Sequence, residues 1–251
     1  MALIDTFEQR GNLLFKYRGY IPVALFLIAV PAMYMSDFKY YINDKTFTLI
    51  VVLALFFSCL GEIIRAYTVG TTPKGTSGRN RSGQCADSLN TTGIYSIVRH
   101  PLYLANYLMW LGVMIFTGSI FVVVVGSLLF FVYYERIMFS EERYLQRKFG
   151  EQFVKWAKCT SAFIPSFKNV RKSNVKFSIK SVIRREYSSV MALAISFMFV
   201  DLLRYLFLYK TFSLNTLNRL SVYITAFTVL LALVLRTIRH KTKILNEEGR
   251  S

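Results

Sequence analysis

At 251 residues, with 54% hydrophobic residues and a net charge of +17, the chain joins a membrane protein's composition to a nucleic-acid binder's charge. Locating the charges separates the two readings. With about six apolar segments crossing a bilayer, 26 of the 31 Lys and Arg residues fall on one side, which is the positive-inside asymmetry and argues against nucleic acid as a partner.

The first 19 residues carry mixed charge and are expected at the membrane interface. An apolar segment near Tyr20–Met35 follows, interrupted by Pro31 and without a small-residue cleavage pattern, so no cleavable signal peptide is expected. The next segment, near Phe47–Tyr67, holds Glu62 and Arg65 close to its end. Three residues apart, they share a helix face and are expected to pair or to line a polar cavity, since ionisable groups at membrane depth are seldom idle. From Val69 to Asn90 runs a loop rich in Gly, Ser and Thr. Gly70 and Gly75 have P-loop spacing, but Thr76 stands where the phosphate-binding lysine belongs, which excludes a nucleotide triphosphatase. Lys74, Arg79 and Arg81 remain in it as candidate substrate-binding residues for an anionic head group.

The central stretch, Leu102 to Met138, is one apolar run broken by Thr117-Gly118-Ser119, and it reads as a helical hairpin. A hairpin returns both ends to one membrane surface, so Arg99 and His100 are delivered beside Glu141 and Glu142. From Ser140 to Lys158 an amphipathic helix is expected in the interface, with Tyr144, Leu145, Phe149, Phe153 and Trp156 at helical spacing. Ile164-Pro165 ends that segment. A basic linker, Lys168 to Arg185, leads to two final spans near Val190–Tyr209 and Leu220–Thr237, where Asp201 and Arg204 are expected to form a structural ion pair. The fold class is therefore an all-α polytopic membrane protein of about five or six transmembrane helices, with a central helical hairpin and a cytoplasmic interfacial helix. Residues 1–44 form an N-terminal interfacial segment and first span, 45–167 the catalytic core, and 168–251 the basic linker and C-terminal spans, with both termini cytoplasmic, at the inner membrane in a bacterium.

The residues alone define an unusual site. Arg65, Arg99 and Arg136 bind anions, His100 offers an imidazole, Tyr103 a phenol, and Glu141 and Glu142 two carboxylates. Such a set suits a zwitterionic, amino-acid-like ligand. No nucleophile–base pair stands out. Cys59, Cys85 and Cys159 have no paired spacing, and His100 and His240 are the only histidines, so no metal is expected.

The pattern resembles a known family, the integral-membrane methyltransferases that include isoprenylcysteine carboxyl methyltransferase and the phospholipid methyltransferases. It rests on Gly61-Glu62-Ile63-Ile64-Arg65, on Gly93-Ile94-Tyr95 with Arg99-His100-Pro101-x-Tyr103, on Glu141-Glu142-x-x-Leu145 with Phe149-Gly150, and on Ile164-Pro165. It runs from about Phe56 to Phe167 and departs where Phe153 and Trp156 replace frequent tyrosines. The resemblance implies S-adenosyl-L-methionine as cofactor, with His100, Tyr103 and Glu142 holding its methionine part, Arg99 and Glu141 beside them, and Phe163–Pro165 next to the adenosine. It implies Arg65 as the acceptor-positioning arginine, with Arg136 as a second, and a lipid substrate entering from the bilayer. Added to these, Lys74, Arg79 and Arg81, with Glu62 alongside, favour O-methylation of a lipid phosphate, as in the lipid A phosphate methyltransferases of the same broad family. Carboxyl methylation of isoprenylcysteine is the alternative. A transporter would use Glu62, Arg65, Asp201 and Arg204 as its path, but the chain has no internal repeat and its polar groups gather at one surface.

Overall fold

The computed structural model describes residues 2–19, 21–35, 44–73, 75–76, 84–210 and 219–249. Among them the chain is helical: α1 Leu3–Tyr17, α2 Ile21–Tyr34, α3 Asp44–Gly70, a 3-10 turn at Gly93–Ser96, α4 Pro101–Phe116, α5 Ile120–Phe149, α6 Glu151–Cys159, α7 Ile179–Tyr209 and α8 Arg219–Lys241. Four helices are long and apolar enough to cross a membrane, within Lys45–Gly70, Ile120–Phe149, Ile179–Leu208 and Leu220–Lys241. The apolar α4 is shorter, and 16 residues rise about 24 Å, less than a hydrocarbon core of about 30 Å. Exposed Leu49, Val52, Phe56, Leu128, Phe131 and Phe227 stud these helices, as surfaces turned to lipid should be.

Three punctuation points set the path. Gly118, at φ 74°, turns α4 into α5. Gly150, at φ 53° and ψ −128°, ends α5 and starts α6, so the expected single helix from Ser140 to Lys158 is two elements. The membrane helix α5 itself continues to Phe149. Ser178 caps α7 by accepting from the Ser181 amide at 3.1 Å, and the helix then runs unbroken to Tyr209. The end of the expected basic linker is thereby the first turns of a transmembrane helix.

Helices α3 and α4 approach backbone to backbone through small residues. Ala54, Ser58, Gly61, Ala105 and Gly112 line the contact, and Ser58 donates to the Met109 carbonyl at 3.2 Å. α2, α4, α5 and α7 pack around Met33, Val113, Met114, Val122 and Val200 at the hairpin-turn end. There Arg204 donates to the Phe116 carbonyl and lies 3.4 Å from Asp201, which also accepts from Ser221 of α8 at 3.0 Å. At the opposite end, α1 lies across α5. Glu8 meets Arg147 at 2.5 Å and Arg143 at 3.7 Å, and Tyr133 donates to the Leu14 carbonyl at 2.8 Å. The Arg147 contact holds the Glu8 carboxyl below the usual carboxylate range. Glu247 of the C-terminal tail reaches Ser178 at this same end, where the Ser178 amide donates to the last carbonyl of α3 at 2.9 Å.

A Cβ at Gly61 would sit 2.6 Å from the Ala105 carbonyl oxygen and 2.7 Å from Met109 Cγ. Gly61→Val is therefore expected to push α3 from α4 and to destabilise the fold by about 1–3 kcal/mol. Thermal melts in detergent should show a lower Tm, and an unchanged one would mean the contact is slack.

Candidate active site

The end of the molecule that carries α1 also carries the site. The chain reaches α4 through the 3-10 turn, in which Gly93 adopts φ 60° and donates its amide to the Arg171 carbonyl at 2.8 Å. Residues 97–100 then run beside 161–166. The amides of Arg99 and His100 donate to the Ser161 and Ala162 carbonyls at 2.9 and 3.2 Å, the Ser166 amide donates to the Ile97 carbonyl at 2.9 Å, and Val98 forms a parallel bridge with Ser161. Trp156 fastens α6 to this strip by donating to the Tyr95 carbonyl at 3.0 Å. Pro101 at the first turn of α4 lacks an amide that the helix has no use for, and it fixes the direction in which His100 and Tyr103 leave the backbone.

On that frame the polar groups meet. Arg99 grips Glu142 with two bonds, Nε to Oε1 at 2.8 Å and Nη2 to Oε2 at 3.3 Å, and its Nη1 donates to the Ala157 and Thr160 carbonyls, each at 2.7 Å. Arg99 thus joins α5 to the end of α6. His100, 7% exposed, sets Nε2 2.9 Å from Glu142 Oε1 and Nδ1 3.5 Å from Glu141 Oε2. Tyr103 donates to Glu141 Oε1 at 2.7 Å and packs on Tyr134. Burial alone would lower the His100 pKa, but the contacts with Glu141 and Glu142 outweigh it and hold the imidazole above its ordinary value. Burial also pushes the Tyr95 phenol up to about 12, against the opposing effect of its hydrogen bond with Thr72.

A second cluster lies on α3, α4 and α7. Arg65 donates Nε to Glu186 Oε2 and Nη1 to Asn106 Oδ1, the latter at 2.5 Å. Glu62 accepts instead from Ser189 of α7 at 3.3 Å. The pairing expected between Glu62 and Arg65 is thus replaced by two contacts across to α7, because the guanidinium has the closer carboxylate there.

One cavity of about 290 Å³ joins both clusters, lined by Arg65, Asn106, Arg185 and Glu186 at one part and by Arg99, His100, Tyr103, Glu141 and Glu142 at another. Tyr95, Tyr144, Phe153 and Trp156 supply aromatic wall, and Phe15 and Arg18 of α1 and residues 84–90 complete it. Arg136 is elsewhere. Its guanidinium carbon lies 3.4 Å from the centre of the Phe7 ring on α1, and it does not line the cavity. Pro165 is exposed and also off the lining, while its neighbour Phe163 packs on Tyr107. Lys74, Arg79 and Arg81 lie outside the described residues. Sequence reasoning passed over Asn106, Arg185 and Glu186. Asn106 is one turn beyond Tyr103 in an otherwise apolar run, and Glu186 is the only carboxylate between Glu151 and Asp201, a usable signal in a stretch read as basic.

Fold and site together define a polytopic helical membrane protein with a charged, aromatic-walled cavity at one end of its helices. Residues 47–152 match the family model of phospholipid methyltransferases. The cobalt-zinc-cadmium resistance protein CzcN of Cupriavidus metallidurans is 40% identical over 84 residues, 34% of this chain and 38% of that one. The nickel-cobalt-cadmium resistance protein NccN of Alcaligenes xylosoxydans xylosoxydans is 39% identical over 84 residues, 34% of this chain and 39% of that one. The protein-S-isoprenylcysteine O-methyltransferase of Schizosaccharomyces pombe is 28% identical over 129 residues, 51% of this chain and 55% of that one. The chain thus spans about half or less of the length of these relatives, and no solved structure matches it. Through this core the chain is similar to the integral-membrane phospholipid and isoprenylcysteine methyltransferases.

His100 supplies a pH test. Its folded-state pKa is raised, so the stabilisation it gives is complete below its ordinary value of 6.5 and is lost as pH rises through the folded-state pKa. Tm in detergent is expected to fall as pH rises above the ordinary imidazole value of 6.5, and His100→Gln should flatten that profile. Superimposable profiles would show that His100 is not held as a cation.

Proposed function

We propose that this protein transfers a methyl group from S-adenosyl-L-methionine to an acceptor embedded in the membrane, at the end of the bundle that carries α1 and the basic excess, which we read as cytoplasmic. The observation that carries the reading is the cavity itself, which unites a zwitterion-binding cluster with an anion-binding one. Its residues fit the cofactor. Glu141 accepts from Tyr103 and lies near His100, which leaves carboxylate acceptor capacity for an ammonium. Tyr95, Tyr144, Phe153 and Trp156 offer ring faces for a nucleobase, and about 290 Å³ is near the lower bound of small-molecule sites. When bound, the cofactor supplies an electrophilic methyl group on a sulfonium.

The chain then needs little acid–base chemistry. An acceptor that is already an anion requires orientation, desolvation and in-line approach, and Arg65, fixed by Glu186 and Asn106, is held in one geometry for that purpose. The finer reading is a lipid phosphate oxygen, such as that of a lipid A-type glycolipid. It is supported by Arg65 and Arg185 on the cavity wall and by the cations of the sequence at 74, 79 and 81. Arg136 is not used in this reading. A carboxylate acceptor is the second reading, favoured by the similarity to the S. pombe protein-S-isoprenylcysteine O-methyltransferase. The names of the two resistance proteins bring no metal site with them: among the described residues no group of three His, Cys, Asp or Glu side chains is placed to hold one.

Purified protein is expected to bind S-adenosyl-L-methionine in calorimetry. Glu142→Ala, which takes the shared acceptor from Arg99 and His100, should weaken that binding roughly 10- to 100-fold. Folded protein without cofactor affinity would overturn the proposal. Labelled methyl is expected in a lipid fraction, stable to mild base as a phosphate ester, whereas base-labile label released as methanol would move the assignment to a carboxylate. Arg65→Gln should depress transfer while cofactor affinity stays within about twofold, the mark of a residue that serves only the acceptor.

A further inference from the structure

Glu186 does not fit a purely structural role. It is 3% exposed and lines the cavity, and only one of its oxygens is used. Oε2 accepts from Arg65, while Oε1 is buried with no hydrogen-bond partner among the described residues. A buried carboxylate oxygen without a donor is costly, and one whose residue lines a cavity is placed to take a partner from outside. Its sequence neighbour Arg185 is 6% exposed and lines the same cavity. One turn on, Ser189 fastens α7 to Glu62 of α3, so this part of α7 is seated against the helix that carries Arg65. All three positions lie beyond residues 47–152, outside the part of the chain that the family model matches.

We infer that Arg185 and Glu186 are acceptor-specificity residues, which together with Arg65 read a head group presenting an anionic oxygen beside a hydrogen-bond donor. The two arginines meet the anion, and Glu186 Oε1 takes the donor, a hydroxyl or an ammonium. This inference rests on the lipid-acceptor reading above and extends it to the group next to the anion. The selectivity follows from the cost of an empty partner. A head group with the anion alone leaves Oε1 buried and unpaired, and a site built around a polar contact rejects the analogue that lacks it far more strongly than an apolar pocket rejects a missing methylene. α7 would thereby adapt a shared methyltransferase core to its own acceptor.

The test is a binding panel on the full chain in detergent, read by native mass spectrometry with a tryptophan-fluorescence titration as control. Three lipids with the same acyl chains are compared: phosphatidylmethanol, which has the anion and no donor, phosphatidylglycerol, which adds hydroxyls, and phosphatidylethanolamine, which adds an ammonium. At least one donor-bearing lipid is expected to bind roughly 10- to 100-fold tighter than phosphatidylmethanol. Which one it is separates a hydroxyl from an ammonium. Glu186→Gln keeps an oxygen for Arg65 but puts an NH₂ group where Oε1 stood, so it should abolish the preference with cofactor affinity unchanged. Arg185→Gln should weaken all three lipids alike. Equal affinities in the wild type, or a preference that survives Glu186→Gln, overturn the inference and leave the lipid-acceptor reading standing. Failure of every lipid to bind a chain that binds S-adenosyl-L-methionine overturns both. Should Glu186→Gln not fold, the wild-type panel and Glu186→Asp decide, since the shorter carboxylate must also lose the preference.

Discussion

The two-bond grip of Arg99 on Glu142 is the contact on which the rest of the active end depends. Arg99 stands just before α4 and Glu142 lies near the end of α5, so the pair closes the hairpin at the end opposite its Gly118 turn. The same guanidinium takes two carbonyls at the end of α6, which ties that helix to both arms of the hairpin. A lysine there would supply charge without the fork, and the three elements would lose their common clamp. His100 and Tyr103, set by the same turn of chain, then order Glu141 and Glu142 from the other side. These four residues both build the frame and face the cavity, so the cavity wall and the local fold are not separable at this point.

Much of this was legible because the hairpin imposes it. A long apolar run with a Thr-Gly-Ser break brings its flanks together whatever the rest of the chain does, and the flanks carried Arg-His-Pro-x-Tyr and Glu-Glu. The cluster at Glu141 and Glu142 follows from that topology. What lies between non-adjacent helices did not follow. Glu62 and Arg65 share a face of α3, and local spacing pairs them, yet Arg65 turns to Glu186 and Asn106 because helix packing offers closer partners. Arg136 has the composition of an anion binder, but its place on α5 faces α1, where the Phe7 ring takes its guanidinium. Where Gly150 interrupts the run, helical periodicity on both sides hid the break, since the apolar residues of α5 and α6 keep nearly the same phase.

α7 changes how the extension beyond the core is understood. It packs on α3, α4 and α8, and the two ends of its length do different things. Near Tyr209, Arg204 and Asp201 bind the Phe116 carbonyl and Ser221, a set that fastens the far end of the hairpin to the final helix pair. Near Ile179, Arg185 and Glu186 enter the cavity. A transport path would place its charges in one continuous line at mid-membrane depth. Here the charges are split between a structural knot at one end and a cavity at the other, with apolar packing around Val200, Val113 and Met33 near the knot.

The membrane setting explains why the ionisable groups of the helices draw on so many neighbours. An ionisable group within the span of a helix is tolerated when it is paired or lines a polar cavity. Arg65 draws on two neighbours, Arg99 on three, and Glu62 on Ser189. Of the buried side-chain atoms without a hydrogen-bond partner among the described residues, Oε1 of Glu186 is the one whose residue lines the cavity that the Arg99 cluster closes on its other part. A soluble ligand can satisfy the Glu141–His100 part while a membrane-borne one satisfies the Arg65–Glu186 part. On the proposed function, two ligands of opposite solubility meet with their reactive groups in one enclosure, which a soluble protein has no ready means to arrange and which the end of a helical bundle in a bilayer provides by its position.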